Sequence, residues 1–517
     1  MIKDSENLIP RILNSSISQI LFSGKIGIEK ESMRAKDAKI SKITHFQKLG
    51  SSLFNKYITT DFSESQLELI TPPFNKNELC LEFLINIHHF VNKNIDNEYL
   101  WPLSMPPYFK SEKDVPIAFY GNSNLALFKQ TYRNGLANRY GKAMQAISGI
   151  HFNYSLPEEL WTSHIFQDEE MDQNSIRNSV YFRTARNLVR LNWLVLYLYG
   201  CSPVINDVFR NKAHKFKKLN NNDYFLPYAT SLRMSDIGYK NSNQGNLFVS
   251  LNDIDAYIRD LKTATQLESA NFKQINNKTD YPRSQLNSNT IQIEDEYYAV
   301  ARPKSSSNLE IRMLDKLNKG GIDYIELRSI DLNPFSNIGI DEEMTYFLEI
   351  LMIYATFSDS QPMCDDEYKI SNQNDLHVSI RGREPNLMLS RNGAKVSLQD
   401  WSLEVIESME IILDSIDVKS NKYLNAIGKA KEKILNVEKT PSDIFFKTIE
   451  DQKIEMLDFG EMKGKEYKAQ FQQKNIDINK DWDTLEKEVS DSLLKYKSSA
   501  KHEKLSFNEF LNKYLHP

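Results

Sequence analysis

Cysteine, glycine-rich loops and long apolar runs are all scarce in this sequence. Its three cysteines, Cys80, Cys201 and Cys364, are far apart and form no C-x-x-C pair. This argues against a disulfide framework or a zinc site and favours a reducing compartment. The longest apolar runs, at 193–199 and 346–357, fall short of the roughly 20 residues of a membrane span, and the first ten residues contain no apolar signal segment. We therefore expect a cytoplasmic protein without a membrane partner.

The motifs of the common nucleotide-binding classes are missing as well. Neither G-x-x-x-x-G-K-[ST] nor G-x-G-x-x-G occurs, so we expect no P-loop or Rossmann nucleotide site. No G-x-S-x-G nucleophile elbow occurs either. The formal net charge is −5, so no overall basic field attracts nucleic acid. An anionic ligand would have to be held by local positive charge or by metal.

The 517 residues have the composition of an ordinary soluble globular protein, with 40% hydrophobic and 11% aromatic residues. Helical spacing of apolar side chains predicts helices at 78–95, 125–144 and 178–199, the last of them central to the core. After about residue 396 the chain becomes rich in Lys and Glu. We predict a domain at 1–395 that carries the chemistry, and a helical, mostly solvated region at 396–517 that packs on this domain or extends it.

Alternating polar and apolar side chains predict the strands. In 25–31, Ile26 and Ile28 share one face with Lys30, whereas Glu29 and Glu31 share the opposite face. The same alternation predicts further strands at 66–71, 148–155, 290–302 and 324–330. Most of these strands have an apolar reverse face. We therefore predict an antiparallel sheet with one buried face and one functional face.

The functional face and the segment before its second strand are rich in metal-ligating side chains. The candidates are Glu29, Glu31, Asp61, Glu68, His151 and Glu326. A single E-x-E pair is more often a solvated surface strand, and a single histidine is more often structural. Together, however, these carboxylates would repel one another unless cations lay between them, and oxygen ligands suit Mg²⁺. We predict that they surround several Mg²⁺ ions, which could also bridge a nucleotide polyphosphate.

Two further pairs share strand faces. Tyr298 and Arg302 share one face in 297–304, and Glu326 and Arg328 share one face in 324–330. Arg328 could be a structural partner of Glu326, or it could hold a substrate carboxylate beside a metal ion. The sequence leaves both roles open.

Ten short segments in the first two-thirds of the chain carry a family resemblance. They are 27–34 (GIEKESMR), 58–64 (ITTDFSE), 101–106 (WPLSMP), 132–136 (YRNGL), 138–141 (NRYG), 144–151 (MQAISGIH), 226–233 (LPYATSLR), 235–239 (SDIGY), 320–329 (GGIDYIELRS) and 333–336 (NPFS). In this order they resemble the bacterial glutamate–cysteine ligases (γ-glutamylcysteine synthetases) of type 1. Past about residue 357 the resemblance is weak. Lys30 departs from the arginine that is familiar in this family, but alternation directs Lys30 toward the core or the sheet edge.

The resemblance implies an α+β fold of the glutamine-synthetase-like carboxylate–amine ligase type, in which an antiparallel sheet forms an open funnel packed with helices. It implies that ATP phosphorylates the γ-carboxylate of L-glutamate and that the amine of L-cysteine displaces the phosphate, in the first step of glutathione biosynthesis. The implied cofactor is Mg²⁺, with Mn²⁺ as the alternative, held by the six metal ligands given above, and ATP is a co-substrate. We expect a monomer.

The resemblance also implies roles for individual residues. Arg233 and Arg328 are the candidates for contacts with carboxylate or phosphoryl charge. The implied cysteine pocket consists of Tyr132, Leu136, Gln145, Arg233, Tyr239, Tyr298 and Arg328. Three alternatives stay open: a related γ-glutamyl ligase that uses a different amine, a non-catalytic relative that binds nucleotide or metal, and a metal-dependent hydrolase.

Overall fold

The protein is described here by a computed structural model, which covers residues 7–13, 20–163, 165–166, 171–210, 216–238, 244, 247–275, 283–306, 312–415, 421–473, 479–499 and 503–515. Within these ranges, no helix combines the length and the apolar composition that a membrane crossing requires. The three cysteines are free thiols. Cys80 and Cys201 are buried, and Cys364 is exposed.

An antiparallel sheet forms the centre of the fold. The strands in the described chain are β1 Lys25–Lys36, β2 Lys39–Ile40, β3 Ile58–Thr60, β4 Gln66–Ile70, β5 Tyr99–Leu100, β6 Ile150–Ser155, β7 Val204–Asn206, β8 Lys217–Lys218, β9 Asp223–Phe225, β10 Ala301–Lys304, β11 Tyr324–Ile330, β12 Met388–Arg391 and β13 Ala394–Ser397. The main sheet has the order β10-β11-β6-β1-β4-β3, and β2 and β5 pair with the far end of β1. All of these pairings are antiparallel.

Helices cover one face of this sheet and surround its edges. They are α1 Ile9–Leu13, α2 Asn77–Asn94, α3 Asn124–Tyr140, α4 Lys142–Gln145, α5 Gln173–Tyr199, α6 Ile254–Gln266, α7 Ala270–Lys273, α8 Met313–Gly320, α9 Glu342–Phe357, α10 Asp365–Arg381, α11 Leu398–Ser415, α12 Asn421–Leu435, α13 Pro441–Gln452, α14 Met456–Gln473, α15 Asn479–Ser499 and α16 Phe507–Leu515. The predicted α+β fold with an antiparallel sheet packed with helices is confirmed, as are the helices predicted at 78–95 and 178–199. The helix predicted at 125–144 is divided into α3 and α4 at Gly141, because the positive φ of 83° at this glycine ends the first helix.

Alternation along the strands builds the core as predicted. Ile28, Phe152 and Leu327 project from the apolar face and are fully buried in the main hydrophobic cluster with α2 and α5. Lys30 also points to this side, and its Nζ lies 2.7 Å from Nε2 of His88. Burial lowers the pKa of Lys30 to about 7. The departure from the family motif at Lys30 is therefore located behind the functional face.

The register of the sheet brings the acidic side chains together. Glu29 lies opposite His151 across the β1–β6 pair, and Glu31 lies opposite Glu68 across the β1–β4 pair. Side chains that lie directly opposite each other on one face are close neighbours. The chemistry of the functional face is therefore fixed by strand pairing.

The structure corrects the predicted strand at 290–302. Only Ala301–Lys304 is a strand, and Glu294–Glu296 forms a turn of 3₁₀ helix before it. The polar side chain of Glu296 is buried and pairs with Arg139 of α3 at 3.0 Å, so tertiary contacts override the local alternation. Tyr298 therefore precedes the strand and does not share a strand face with Arg302.

The prediction of a mostly solvated C-terminal region is wrong for its first two helices, although the region is helical as predicted. Trp401, Ile406 and Met409 of α11 and Ile427 of α12 are buried in the main hydrophobic cluster, where these helices pack on α5 and α9. The Lys and Glu residues mark only the outer faces of these helices. The boundary at residue 396 stays a prediction.

Candidate active site

The functional face of the sheet lines a cavity of about 950 Å³. The residues predicted from the sequence that line it are Glu29, Glu31, Asp61, Glu68, Tyr132, Leu136, Gln145, His151, Arg233, Tyr298, Glu326 and Arg328. Tyr239, the remaining candidate, lies outside the described residues. Side chains from seven separate chain segments thus meet in one cavity, but their individual roles stay predictions.

Three side chains at the centre of the cavity floor have metal-site geometry. Donor atoms of Glu29, His151 and Glu326 all lie within 4.8 Å of one another. His151 Nδ1 is 3.3 Å from Glu29 Oε2 and 3.5 Å from Glu326 Oε1. One ion could contact all three groups, because a carboxylate and an imidazole each offer a lone pair toward the common centre.

The neighbouring carboxylates carry more negative charge than the protein neutralises. Glu31 accepts a hydrogen bond of 2.9 Å from the Gly149 backbone N–H, but burial and then the charge of Asp61 raise its pKa. Burial, followed by the charges of neighbouring carboxylates, raises the pKa of Glu68 well above its usual value. Both groups would ionise more readily beside a bound cation.

The carboxylates at the other end of the floor are held in the ionised form. Burial opposes ionisation of Glu326, but Lys304 at 3.5 Å and Arg328 at 3.3 Å outweigh it and hold its pKa well below the usual value. Burial likewise opposes ionisation of Glu29, and the hydrogen bond with His151 lowers its pKa overall. On the floor, the negative charge of Glu29 and Glu326 is therefore compensated by neighbouring protein groups, whereas that of Glu31 and Glu68 is not.

The donor set fits a hard divalent cation. The carbonyl oxygen Oδ1 of Asn153 is buried and has no hydrogen-bond partner among the described residues, while Nδ2 of Asn153 donates to Glu29 at 2.9 Å. Carboxylate and amide oxygens are ligands that Mg²⁺ accepts, and the excess charge near Glu68 is of the sign that a cation would neutralise. The residues present thus suit the predicted Mg²⁺.

Arg233 and Arg328 face the floor from adjacent segments. Arg233 Nη2 donates to the backbone carbonyl of Arg328 at 2.9 Å, and Nη1 lies 3.8 Å from Oδ1 of the buried Asp331. Asp331 is itself held by hydrogen bonds from the backbone of Cys201 and the hydroxyl of Ser202. This network fixes the position of the Arg233 guanidinium at the edge of the cavity.

A glycine makes room for that guanidinium. A Cβ at residue 149 would lie 2.0 Å from Arg233 Nη2, which is shorter than any tolerated contact. Gly149 also gives its backbone N–H to Glu31. Glycine at this position therefore allows an arginine and a carboxylate to approach the same stretch of backbone.

The predicted amine-substrate side is more apolar. Gln145 Nε2 donates to the Tyr298 hydroxyl at 2.6 Å, and Leu136 is buried. Tyr298 contacts the ring of Tyr140 with a centroid separation of 5.9 Å. A small thiol-bearing substrate would meet aromatic and aliphatic groups here and arginines at the opposite end.

Several cavity residues were not singled out from the sequence. Asn153 shares the polar face with His151 by alternation, and Lys304 shares a strand face with Arg302, so a signal for both was present. Lys129 and Arg133 are one helical turn apart on α3 and line the same cavity. Burial lowers the pKa of Lys129 to about 8. Nothing in local spacing distinguishes them from solvated helix residues.

An α+β fold in which an antiparallel sheet presents carboxylates and arginines to one cavity has the features of an enzyme site that holds cations and a charged substrate together. The chain belongs to the glutamate–cysteine ligase family, whose model matches residues 9–378. It is 40% identical over 430 residues to the glutamate–cysteine ligase of Janthinobacterium sp. (strain Marseille), covering 82% of this chain and 81% of that protein. The Vibrio campbellii enzyme of that name is 39% identical over 501 residues, which is 94% of each chain.

A solved structure agrees over nearly the whole chain. The glutamate–cysteine ligase from Francisella tularensis, described in complex with AMP, superimposes with a TM-score of 0.90 and 31% sequence identity. The match covers 95% of this chain and 97% of that one. The likeness therefore includes the C-terminal helices, which lie beyond the family-model match.

Proposed function

We propose that this chain joins the γ-carboxylate of L-glutamate to the amine of L-cysteine in an ATP-dependent reaction that passes through γ-glutamyl phosphate. The observation that carries the proposal is the meeting of an acidic sheet face, the buried Arg233, the half-buried Arg328 and an aromatic pocket in one cavity of a glutamate–cysteine ligase family member. The AMP complex of the Francisella relative supports a nucleotide as a ligand of this chain.

The acidic floor would hold the cation. Glu29, His151 and Glu326 are the candidate ligands of one Mg²⁺, and Glu31, Asp61 and Glu68 are the candidates for others nearby. Bound Mg²⁺ would neutralise phosphate oxygens and so favour transfer of the γ-phosphoryl group. Mn²⁺ has similar ligand preferences and could replace it.

The arginines would handle the substrate charge. A glutamate γ-carboxylate oxygen attacks the γ-phosphorus of ATP, which releases ADP and leaves an acyl phosphate. The amine of cysteine then attacks the acyl carbon, phosphate departs, and the amine loses a proton. Arg328 and Arg233 are suited to hold carboxylate or phosphoryl oxygens through both steps, because a guanidinium offers several parallel donors.

The aromatic side of the cavity would determine the specificity for the amine substrate. Tyr132, Leu136, Gln145 and Tyr298 are the candidates for contacts with cysteine, and the hydrogen bond from Gln145 fixes the Tyr298 hydroxyl. The proposed enzyme is cytoplasmic, because ATP and free cysteine are available in a reducing compartment. We also propose that it is a monomer.

The test is product analysis with purified protein, Mg²⁺, ATP and L-glutamate, with L-cysteine compared against a panel of other small amines. We expect γ-glutamylcysteine with one ADP and one phosphate per product, and a hydroxamate when hydroxylamine replaces the amine. A higher kcat/KM for another amine would identify a related γ-glutamyl ligase. No ATP turnover with any amine would contradict the proposal.

A further inference from the structure

The last helix of the chain reaches the active-site cavity. Tyr514, near the C-terminal end of α16, lines the same cavity as the acidic floor. This residue lies far beyond 9–378, the part of the chain that the family model matches. The cavity therefore includes a side chain that the family motifs do not contain.

Aromatic contacts connect Tyr514 to helix α3. The rings of Tyr514 and Phe128 have a centroid separation of 4.4 Å, and Phe510 approaches Phe128 from the same helix at 6.3 Å. Phe128 is buried in a small hydrophobic cluster with Phe507 and other residues, separate from the main core, and Tyr132 packs against this cluster. Helix α16 thus supports the face of α3 next to the predicted amine-binding residues.

Polar contacts fix residues 503–515, which we call the tail, at both ends. Glu503 accepts a hydrogen bond of 2.5 Å from the backbone N–H of Asn124, the first residue of α3, and the Leu505 carbonyl accepts one from the Asn124 side chain. At the other end, Arg312 donates to the Leu515 carbonyl at 3.1 Å and to Glu294 at 2.7 Å. The tail therefore connects α3 to Arg312 at the start of α8, and Arg312 in turn pairs with Glu294, which precedes β10.

Loss of the tail would affect one side of the cavity more than the other. Helix α3 carries Lys129, Tyr132 and Leu136, all of which line the cavity, whereas Glu29, Glu31, Glu68 and Glu326 lie on paired strands on the other side. Asp61 is the floor carboxylate beside α3, because its backbone carbonyl accepts a hydrogen bond from Arg133. Removing the support of the tail would shift side chains of α3 without altering the register of the sheet. Small shifts of substrate-positioning groups change binding and rate strongly.

We propose that the tail forms a wall of the active site and that Tyr514 is a positioning residue that sets the amine-binding side of α3. The inference rests on the proposed ligase function. Tyr514 acts through Phe128 and Tyr132, and it has no part in phosphoryl transfer on the floor.

The test compares the steady-state kinetics of Tyr514→Ala with those of Tyr514→Phe and of Lys513→Ala, an exposed neighbour on the same helix. For Tyr514→Ala we expect the KM for cysteine to rise roughly 10-fold, while the KM values for ATP and glutamate change less than about twofold. Tyr514→Phe keeps the ring contact and should behave almost as the wild type, and so should Lys513→Ala. An unchanged KM for cysteine, or an equal loss for all three substrates, would overturn the proposal.

Two additions keep the test decisive. Arg312→Ala removes an anchor of the tail and should raise the KM for cysteine on its own. In the double variant with Tyr514→Ala, it should add little to the increase that Tyr514→Ala already causes. If Tyr514→Ala does not fold, Phe128→Leu probes the same ring contact from α3, and an unchanged KM for cysteine there would also contradict the proposal. A wild-type protein without ligase activity refutes the proposed function, whereas an active one with a normal Tyr514→Ala variant refutes only the role of Tyr514.

Discussion

The cavity has two sides that are built in different ways. The floor consists of side chains on β1, β4, β6 and β11, whose positions follow from strand register, and of Asp61, which directly follows β3. The wall consists of α3, residues 291–298 and α16, which meet through contacts between segments that are far apart in the chain. The floor presents carboxylates and Arg328 to the cavity, whereas the wall presents Tyr132 and Tyr298 together with Lys129 and Arg133.

This difference suggests how the two sides should respond to substitution. Strand pairing leaves little freedom to move a floor carboxylate, so the loss of one cannot be compensated by its neighbours. The wall rests on side-chain packing that relaxes locally. We therefore expect floor variants to lose the rate of the reaction and wall variants to lose affinity for one substrate.

The largest effect is expected on the floor. Glu326→Ala removes the carboxylate that lies within 3.5 Å of His151, Lys304 and Arg328, so it deletes a candidate metal ligand and one counter-charge of Lys304 and Arg328. We expect kcat to fall about 10³-fold in a steady-state ATP assay, with a near-normal circular dichroism spectrum. Glu158→Gln, at the exposed rim of the same cavity, is the matched control. A Glu326→Ala variant that keeps most of its kcat would refute the metal-binding floor.

The second largest effect is expected for Arg328, the arginine of the floor. Arg328→Lys keeps the positive charge but loses the forked donor geometry that holds two oxygens at once. We expect kcat/KM for glutamate to fall about 10²-fold. Arg190→Lys changes another carboxylate-paired arginine, which contacts Glu367 away from the cavity, and should leave the kinetics unchanged. Wild-type kinetics for Arg328→Lys would assign Arg328 a structural role only.

A buried carboxyl outside the cavity, Glu349, shows what burial does to the pKa of a carboxyl group without the neighbouring charges of the floor. Glu349 of α9 accepts hydrogen bonds from Asn77 at 2.5 Å and Tyr423 at 2.8 Å, and burial raises its pKa to about 8. The unfolded chain releases this proton near the usual glutamate pKa, so the stability contributed by the protonated carboxyl is complete at low pH. It is lost as the pH rises toward 8.

Glu349→Gln should remove this pH dependence. Between pH 5 and 7 the free energy of unfolding of the wild type should fall relative to the variant by about 2 kcal/mol, measured by denaturant unfolding. Glu407→Gln, an exposed change on α11, provides the control. Parallel pH profiles of the wild type and Glu349→Gln would mean that Glu349 is ionised in the folded protein. Catalytic activity should be unaffected, in contrast to Glu326→Ala.

The floor could be predicted from the sequence because a strand repeats every two residues. That period places Glu29 with Glu31, and Glu326 with Arg328, before any long-range contact is known. The same rule would have found Asn153 and Lys304. The rule misplaced Tyr298, because the buried pair of Glu296 with Arg139 holds this segment out of the sheet.

The wall could not be predicted in the same way. The C-terminal residues show helical spacing, which indicates that α16 exists but not which surface it covers. The contact of Tyr514 with Phe128 joins positions almost 400 residues apart, and no local pattern encodes it. The family resemblance identified Tyr132 and Leu136 as candidates, but the resembling segments end before the tail. Packing of distant segments decides this side of the cavity, and only the structure displays it.

The smallest effect is expected on the wall, where Tyr298→Phe removes a single hydroxyl. This hydroxyl accepts the hydrogen bond from Gln145, so its loss leaves one amide donor without a partner while the ring contact with Tyr140 is retained. We expect the KM for cysteine to rise about threefold with little change in kcat, which corresponds to the loss of one neutral hydrogen bond. Gln145→Ala should give a similar change, and the double variant should add little to either. A fall in kcat with an unchanged KM would instead connect Tyr298 to the floor chemistry, and the division of labour between floor and wall would then be wrong at this residue.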